Sequence, residues 1–124
     1  MICLDTNYLI LALVPGSQEA QRIVEWCARG ESLYVPAVVW YEFICGPVTG
    51  AQAATIRALL QEIVPFDEAQ AQEAARLFNA CGRRRHLRVD AMIAAAATAR
   101  HASLATGNAD DFRAFVGAGL VLAS

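Results

Sequence analysis

The chain has 124 residues, a length typical of one domain that buries its own core. Hydrophobic residues make up 56% and charged residues 18%, and the formal net charge of −2 excludes an overall basic field for nucleic acid. The first residues carry no positive charge and Asp5 interrupts them, which argues against a signal peptide, and no apolar run is long enough for a membrane span. We therefore expect a cytoplasmic protein with no membrane partner.

Short apolar runs alternate with longer segments of helical spacing along the whole chain. In order, the pattern predicts a strand over 1–4, helices over 8–13 and 17–29, a strand over 32–35, helices over 36–45 and 50–62, a strand over 63–66, helices over 67–81 and 89–101, a strand over 103–106, a short helix within 108–115 and a strand over 120–122. Alternating strands and helices form a parallel sheet covered on both faces. Residues 1–124 are thus predicted to form one α/β domain with about five parallel strands.

Asp5 lies at the carboxyl end of the first predicted strand, between two apolar segments. In open α/β sheets, ligands bind at that edge. A buried carboxylate without a partner costs several kcal/mol or becomes protonated, so something should offset the charge. The alternative is that Asp5 or Thr6 caps the helix that follows, and the residue types suit that role equally well.

Glu42 is predicted to lie on the apolar stripe of its helix. In helical spacing it shares a face with Val35, Val38, Val39 and Cys45. A solvated glutamate belongs on the opposite face, so this placement favours a functional role. The alternative is a helix end that emerges into water.

Asp90 opens the alanine-rich helix RVDAMIAAAATAR. Its neighbours at i+4 and i+7 are Ala94 and Ala97, a face of small residues that packs closely. A carboxylate in the first turn also suits the helix dipole, so either role explains this residue taken by itself.

The segment LATGNADDF follows the fourth predicted strand, again at the carboxyl edge of the sheet. It offers Asn108, Asp110 and Asp111, although these are also ordinary turn residues. Adjacent side chains of a short helix point about 100° apart, so only one of the two aspartates can face a shared ion. Phe112 and Phe115 should anchor the helix in the core, which places Asp111 beside the buried face and Asp110 towards solvent.

Three or four carboxylates are thereby predicted to converge on one edge of the sheet. Clustered carboxylates repel one another, and a hard divalent cation such as Mg²⁺ or Mn²⁺ relieves that repulsion. A cation held in this way commonly serves phosphate chemistry, in which it activates water without a side-chain nucleophile. The sequence shows no arrangement typical of a serine or cysteine nucleophile and no glycine-rich phosphate loop.

The ordered set LDTN, YEF, VDAMIAAAA and TGNADDF resembles the PIN-domain family over the whole chain, and in particular the VapC-like ribonuclease toxins of toxin–antitoxin pairs. The resemblance implies a single PIN-like domain with Mg²⁺- or Mn²⁺-dependent endoribonuclease activity, usually dimeric and blocked by a cognate antitoxin. The family pattern falls on acids that would be catalytic and hold the metal, and on two residues that would position water or the acids. The acids are Asp5, Glu42, Asp90 and Asp111, and the positioning residues are Thr106 and Asn108. Around Glu42 the chain departs from the family, because Val38 and Val39 stand where a small polar residue is common.

Two other classes of protein fit part of the pattern. Receiver domains and aspartate-nucleophile phosphatases also carry acids at such an edge, but they use a lysine to neutralise phosphoryl oxygens, and this chain has none. A PIN-like scaffold that binds RNA or a partner without cleavage is the second alternative. A metal-dependent cleavage assay separates it from the nuclease.

Four of the ten basic residues stand in one stretch just before Asp90, namely Arg83, Arg84, Arg85 and Arg88. We interpret them as RNA-binding residues, with an ordinary solvated charge run as the alternative. The low charge and the apolar side chains of Leu9, Leu11, Leu13 and Trp40 also suggest apolar surface for self-association.

Overall fold

A computed structural model describes residues 1–123 of the chain. Its elements are β1 (Ile2–Leu4), α1 (Thr6–Ala12), α2 (Gln18–Ala28), β2 (Leu33–Pro36), α3 (Ala37–Cys45), α4 (Gly50–Leu59), β3 (Glu62–Val64), α5 (Glu68–Ala80), α6 (Arg88–Ala99), β4 (Ser103–Ala105), α7 (Ala109–Phe112) and β5 (Val121–Leu122), with 3₁₀ segments at Arg85–Leu87 and Arg113–Ala118. The five strands form one parallel sheet flanked by helices, as the alternation of elements predicted.

The sheet has the strand order β3-β2-β1-β4-β5, with β1 at its centre. Cys3 of β1 pairs with Tyr34 of β2 on one side and with Leu104 of β4 on the other. The chain builds outwards from β1 first in one direction and then in the other, so the order reverses between β1 and β4. In open α/β sheets the crevice outside such a switch point is where ligands bind. The segments that follow β1 and β4 therefore frame the expected site.

The core is built from the central strands and from the alanine-rich helix α6. All three residues of β1 are buried, and so are both residues at the heart of β4, Leu104 and Ala105. Within α6 a run of buried small residues extends from Ala94 to Ala97. Small side chains let a helix approach the sheet closely, which holds the amino end of α6 near the carboxyl edge of the strands.

Side-chain caps define several helix starts. Ser17, Thr49 and Asp67 each accept a hydrogen bond from a backbone N–H in the first turn of the helix they precede. Such caps satisfy donors that the helix itself leaves free. They confirm the predicted starts of α2, α4 and α5.

Several predicted boundaries differ from the observed ones by one to three residues. The first helix begins at Thr6 because Asp5 caps it, and α4 ends at Leu59 because Leu60 adopts an extended conformation. Glu62 then pairs with Tyr34 in the sheet instead of ending a helix. Pro36 ends β2 with extended backbone and is not the first helical residue of α3.

Leu9 is fully buried, so the expectation that it contributes apolar surface is wrong. Leu11 is exposed, whereas Leu13 and Trp40 are partly buried against the core. Within residues 1–123, no helix is long and apolar enough to cross a membrane.

The buried phenol of Tyr8 gives a first prediction. Its ring packs 5.8 Å from that of Trp26, and its hydroxyl has no hydrogen-bond partner among residues 1–123. A buried polar group without a partner is costly, and its removal without change of shape is neutral or stabilising. Tyr8→Phe should therefore leave the free energy of unfolding unchanged or raise it by up to about 1 kcal/mol. Urea unfolding measures this.

Tyr41→Phe is the matched control, because its side chain is exposed and the change should shift stability by less than about 0.5 kcal/mol. A clear loss of stability in Tyr8→Phe alone would show that the hydroxyl has a partner in solution.

Candidate active site

Asp5 caps α1 and also lines a cleft at the carboxyl edge of the sheet. Its Oδ1 accepts a hydrogen bond from the Tyr8 N–H at 2.9 Å, which makes it the cap of α1. Its Oδ2 accepts a hydrogen bond from the Thr106 hydroxyl, beyond the end of β4. The residue is only 5% exposed, yet it also lines a cleft at the edge of the sheet. A carboxylate accepts about four hydrogen bonds, so these two donors leave acceptor capacity that faces the cleft.

Glu42 lines the same cleft, but from an exposed position of α3 and not from a buried one. The residue is exposed, as is Cys45, so the prediction of a buried stripe through Glu42 is wrong. The buried positions of α3 are Val39 and Phe43, one turn apart, and Glu42 lies beside that face. The Thr6 hydroxyl donates to its Oε1 at 3.0 Å, which ties the carboxylate to the start of α1.

Asp90 occupies the first turn of α6 and is half-buried. Ala94 and Ala97, which follow it on the helix, are buried as predicted. The packing of α6 therefore determines where the carboxylate lies, at the wall of the cleft beside Val89 and Ile93.

These side chains together line one cleft of about 180 Å³ at the carboxyl edge of the sheet. It contains three of the four predicted acids and one of the two predicted positioning residues. Its lining residues are Asp5, Thr6, Asn7, Glu42, Val89, Asp90, Ile93, Asn108 and Phe112. We refer to this set as the acidic cleft.

Asp110 and Asp111 are both exposed, so the expectation that only Asp110 lies towards solvent is wrong, but their contacts differ. Asp110 is highly exposed and forms an ion pair with Arg113. Asp111 instead accepts a hydrogen bond from the side-chain amide of Asn108, which lines the acidic cleft. Asp111 itself lies just outside that lining. Its role as the fourth acid stays a prediction.

Thr106 and Asn108 form a short relay of hydrogen bonds to Asp5. The Asn108 backbone N–H donates to the Thr106 hydroxyl oxygen at 2.9 Å, and that hydroxyl donates in turn to Asp5. This arrangement orients the Asp5 carboxylate from the loop after β4. It is what a positioning role for Thr106 requires, whereas the amide of Asn108 is directed to Asp111.

Burial and mutual repulsion dominate the electrostatics of the acidic cleft. Burial raises the pKa of Asp5, the hydrogen bonds from Thr106 and Tyr8 lower it, and the charge of Glu42 raises it. Burial also raises the pKa of Asp90, with further increases from the charges of Asp111, Asp5 and Glu42. Among residues 1–123, none of the four predicted acids takes part in an ion pair.

The donor set of the acidic cleft suits a hard cation. It consists of carboxylate oxygens, which Mg²⁺ and Mn²⁺ prefer, and no lysine or arginine lines the cleft to neutralise them. The carboxylates nevertheless stand apart. Within the described chain, no three acidic, histidine or cysteine side chains converge closely enough to form a ready-made ligand cluster.

The family of the chain follows from a comparison with known domains. The family model of the PIN domain matches residues 2–117. The chain belongs to the PIN-domain family. Among curated protein sequences, none matches it significantly.

Solved structures share the fold along the whole chain. FitAcB from Neisseria gonorrhoeae is 24% identical with a TM-score of 0.72, over 100% of this chain and 97% of that chain. VapBC2 from Rickettsia felis, bound to a DNA fragment from its promoter, is 21% identical with a TM-score of 0.72, over 99% and 98%. A toxin–antitoxin complex from Klebsiella pneumoniae is 26% identical with a TM-score of 0.68, over 90% of each chain.

Several other residues that line the acidic cleft had not been predicted to belong to a functional site. Thr6 and Asn7 belong to the motif LDTN, and their place directly after the first strand was a usable signal. Ile93 and Phe112 reach the cleft from helices that were predicted correctly, yet an apolar wall residue looks the same in a sequence as a core residue.

The four arginines predicted to bind RNA make different contacts. The Arg83 and Arg88 guanidinium groups lie 5.8 and 5.6 Å from the centre of the Phe78 ring. The Arg84 Nε donates to the Cys81 carbonyl at 3.2 Å, and Arg85 opens the 3₁₀ turn. A common role for all four in RNA binding stays a prediction.

The raised pKa of Asp90 gives a stability prediction for the metal-free PIN domain. Since the pKa in the folded protein lies above the ordinary value of 3.8, the folded state holds the proton more tightly than the unfolded chain does. The free energy of unfolding therefore falls as the pH rises from 3.8 through the pKa of Asp90 in the folded protein. Asp90→Asn should raise the melting temperature more at about pH 7.5 than at about pH 4, measured in EDTA.

Glu68→Gln is the matched control, because Glu68 also lies in the first turn of a helix but is exposed. Loss of its favourable dipole interaction should lower stability slightly, by about 0.3–1 kcal/mol at most. A drop in melting temperature for Asp90→Asn at the higher pH would contradict the inference that burial and the neighbouring acids make the ionised Asp90 side chain destabilising.

Proposed function

We propose that this PIN domain is a divalent-cation-dependent endoribonuclease that acts as the toxin of a toxin–antitoxin pair. The observation that supports it most directly is the acidic cleft. Three carboxylates without ion-pair partners line one opening at the switch point of a parallel sheet. Such a concentration of uncompensated charge is costly for stability alone and is typical of a functional site.

Asp5, Glu42, Asp90 and Asp111 are the residues that would hold Mg²⁺ or Mn²⁺. Their oxygens match the preference of these ions, and their mutual repulsion is what a cation would relieve. When bound, such a cation supplies activation of water and stabilisation of the leaving oxygen in phosphodiester hydrolysis.

The contacts of the chain itself prepare the acids for that role. The Tyr8 N–H and the Thr106 hydroxyl hold the two oxygens of Asp5 in fixed directions. Thr6 does the same for one oxygen of Glu42. Carboxylates oriented by neighbouring donors lose little freedom when they bind a ligand, which favours binding.

A cognate antitoxin and a second copy of the chain are the proposed protein partners. The three structures compared above are of FitAcB, VapBC2 and a toxin–antitoxin complex, which supports an antitoxin for this chain. Exposed apolar side chains support both partners, since such surface is commonly covered by association. They include Leu11, Val14, Val24, Tyr41, Ile44 and Leu59.

A scaffold without cleavage activity is the alternative function. It would use the same fold to bind RNA or a partner, and the separation of the carboxylates is the observation that agrees with it. The receiver or phosphatase alternative has no support in the acidic cleft, because no lysine exists in the chain and no basic residue lines that cleft.

Asp5→Asn tests the nuclease directly. The amide oxygen still accepts the cap hydrogen bond from Tyr8, so the fold should persist. Cleavage of RNA in Mg²⁺ or Mn²⁺ should fall by at least about 100-fold, since even the partners of metal ligands are worth roughly 10- to 100-fold. A panel of structured RNAs analysed on denaturing gels measures this.

Glu25→Gln, an exposed acid on α2, should cleave like the wild type. RNA cleavage by Asp5→Asn at the wild-type rate would contradict the role of the acidic cleft. Absence of cleavage by the wild type with either cation, while RNA is bound, would favour the scaffold.

The two adjacent aspartates give a second, more specific prediction. Asp111→Asn should lower Mn²⁺ affinity and cleavage much more than Asp110→Asn, because Asp111 is linked to the acidic cleft through Asn108. Asp110 is committed to Arg113 at the surface. Isothermal titration with Mn²⁺ and the cleavage assay measure both effects. Equal losses in the two variants would show that the wrong carboxylate was chosen.

A further inference from the structure

A second cleft of about 340 Å³ lies beside the acidic cleft, on the side of α7. Three cationic or potentially cationic side chains line it, together with two aspartates and two apolar residues. They are Arg84, His86, Arg113, Asp110, Asp111, Leu87 and Ala114. We refer to this set as the basic cleft, since it brings together basic side chains from two separate parts of the chain.

The two clefts are connected through residues that contact or adjoin each other, although no residue lines both. Asn108 lines the acidic cleft and donates its side-chain amide to Asp111, which lines the basic cleft. On the opposite side, Leu87 of the basic cleft directly precedes α6, whose first turn carries Asp90. The two clefts are therefore linked by the Asn108–Asp111 hydrogen bond and by the start of α6.

The Arg84 guanidinium has N–H donors in the basic cleft that form no hydrogen bond within residues 1–123. Its Nε is held by the Cys81 carbonyl at 3.2 Å, while its two terminal nitrogens have no acceptor among residues 1–123. The backbone here is set by the end of α5, where the Arg83 N–H donates to the Phe78 carbonyl and Gly82 has a positive φ of 84°. The guanidinium is therefore oriented, with a free edge of the kind that binds phosphate oxygens.

His86 and Arg113 are the other two basic side chains that line the basic cleft. His86 is exposed and makes no side-chain hydrogen bond within the described chain. Arg113 pairs with Asp110, but both side chains are largely exposed, at 67% and 84%. Exposed ion pairs are worth at most about 1 kcal/mol, so Arg113 can exchange this partner for a phosphate.

The other arginines of the run lack this freedom or this location. Arg83 donates to the Asn79 side chain at 2.6 Å and lies near the Phe78 ring, where Arg88 also lies. Neither these two nor Arg85 lines the basic cleft. The structure therefore separates Arg84 from its three neighbours in the sequence.

We propose that the basic cleft binds the RNA phosphate next to the one that is cleaved, with Arg84 as its main ligand and with His86 and Arg113 in support. The inference rests on the proposed function, because it assigns a substrate-positioning role beside that site. An acidic cleft repels the RNA backbone, and cations at one end of it offset that repulsion and orient the strand.

Direct binding tests the proposal without cleavage. The probe is a fluorescein-labelled 12-nucleotide oligouridylate in EDTA, with affinity measured by anisotropy over a range of salt. Arg84→Gln should weaken binding by about tenfold, as expected for a lost hydrogen bond to a charged group. It should also reduce the slope of log affinity against log salt by about 0.7, the value for one phosphate contact on a single strand.

Several variants serve as controls. Arg29→Gln removes the same charge from an exposed residue at the end of α2 and should change affinity by less than twofold, whereas Arg84→Lys should retain part of the wild-type affinity. Asp110→Asn should tighten binding, because it frees Arg113. Equal weakening in Arg29→Gln and Arg84→Gln, or an unchanged salt slope in Arg84→Gln, would overturn the proposal.

Cleavage kinetics separate this proposal from the proposed function. With a long RNA, Arg84→Gln should raise KM and leave kcat nearly unchanged, and the effect should vanish with a dinucleotide that has no neighbouring phosphate. If the wild type cleaves no RNA, the nuclease fails, while the binding measurement still decides the basic cleft. If Arg84→Gln lowers kcat on both substrates equally, a separate phosphate subsite is refuted.

Discussion

A buried carboxylate at the end of the central strand joins three parts of this PIN domain. The backbone N–H of Asp5 continues the pairing of β1 with β4 by donating to the Ala105 carbonyl at 3.2 Å. Its side chain caps α1 and accepts from Thr106 in the loop after β4. These hydrogen bonds offset part of the cost of burial, yet the pKa of Asp5 remains raised. The same residue thus organises the edge of the sheet and leaves it electrostatically strained.

The charged side chains around that edge form local groups that the net charge of the whole chain does not show. The net charge of −2 excludes a basic protein, and no lysine or arginine lines the acidic cleft. Arg84 and Arg113, from the loop after α5 and from the segment after α7, nevertheless both line the basic cleft, together with two aspartates. In the proposed function, the acidic cleft is the reactive site for a substrate strand and the basic cleft is its holding site. Net charge cannot reveal such an arrangement, because its contributions cancel.

Local sequence determined the order of the elements and the edge at which the site lies. Periodicity of apolar residues separated strands from helices, and caps such as Ser17 and Asp67 placed helix starts correctly. Alternating elements require parallel strands, and parallel strands bring their carboxyl ends to one edge. Asp5 and Thr106 could therefore be placed near each other, and a hydrogen bond joins them across 101 positions of sequence.

Only the tertiary structure decided where individual side chains point. Helix α3 is apolar nearly all round, so its pattern could not show that its buried face runs through Val39 and Phe43 and leaves Glu42 exposed. The arginine run looked uniform in the sequence, but the end of α5 directs Arg83 towards Asn79 and leaves Arg84 in the basic cleft. Spacing along the chain determines which residues share an element. The direction of each side chain depends on what the neighbouring elements already occupy, which is a property of packing in three dimensions.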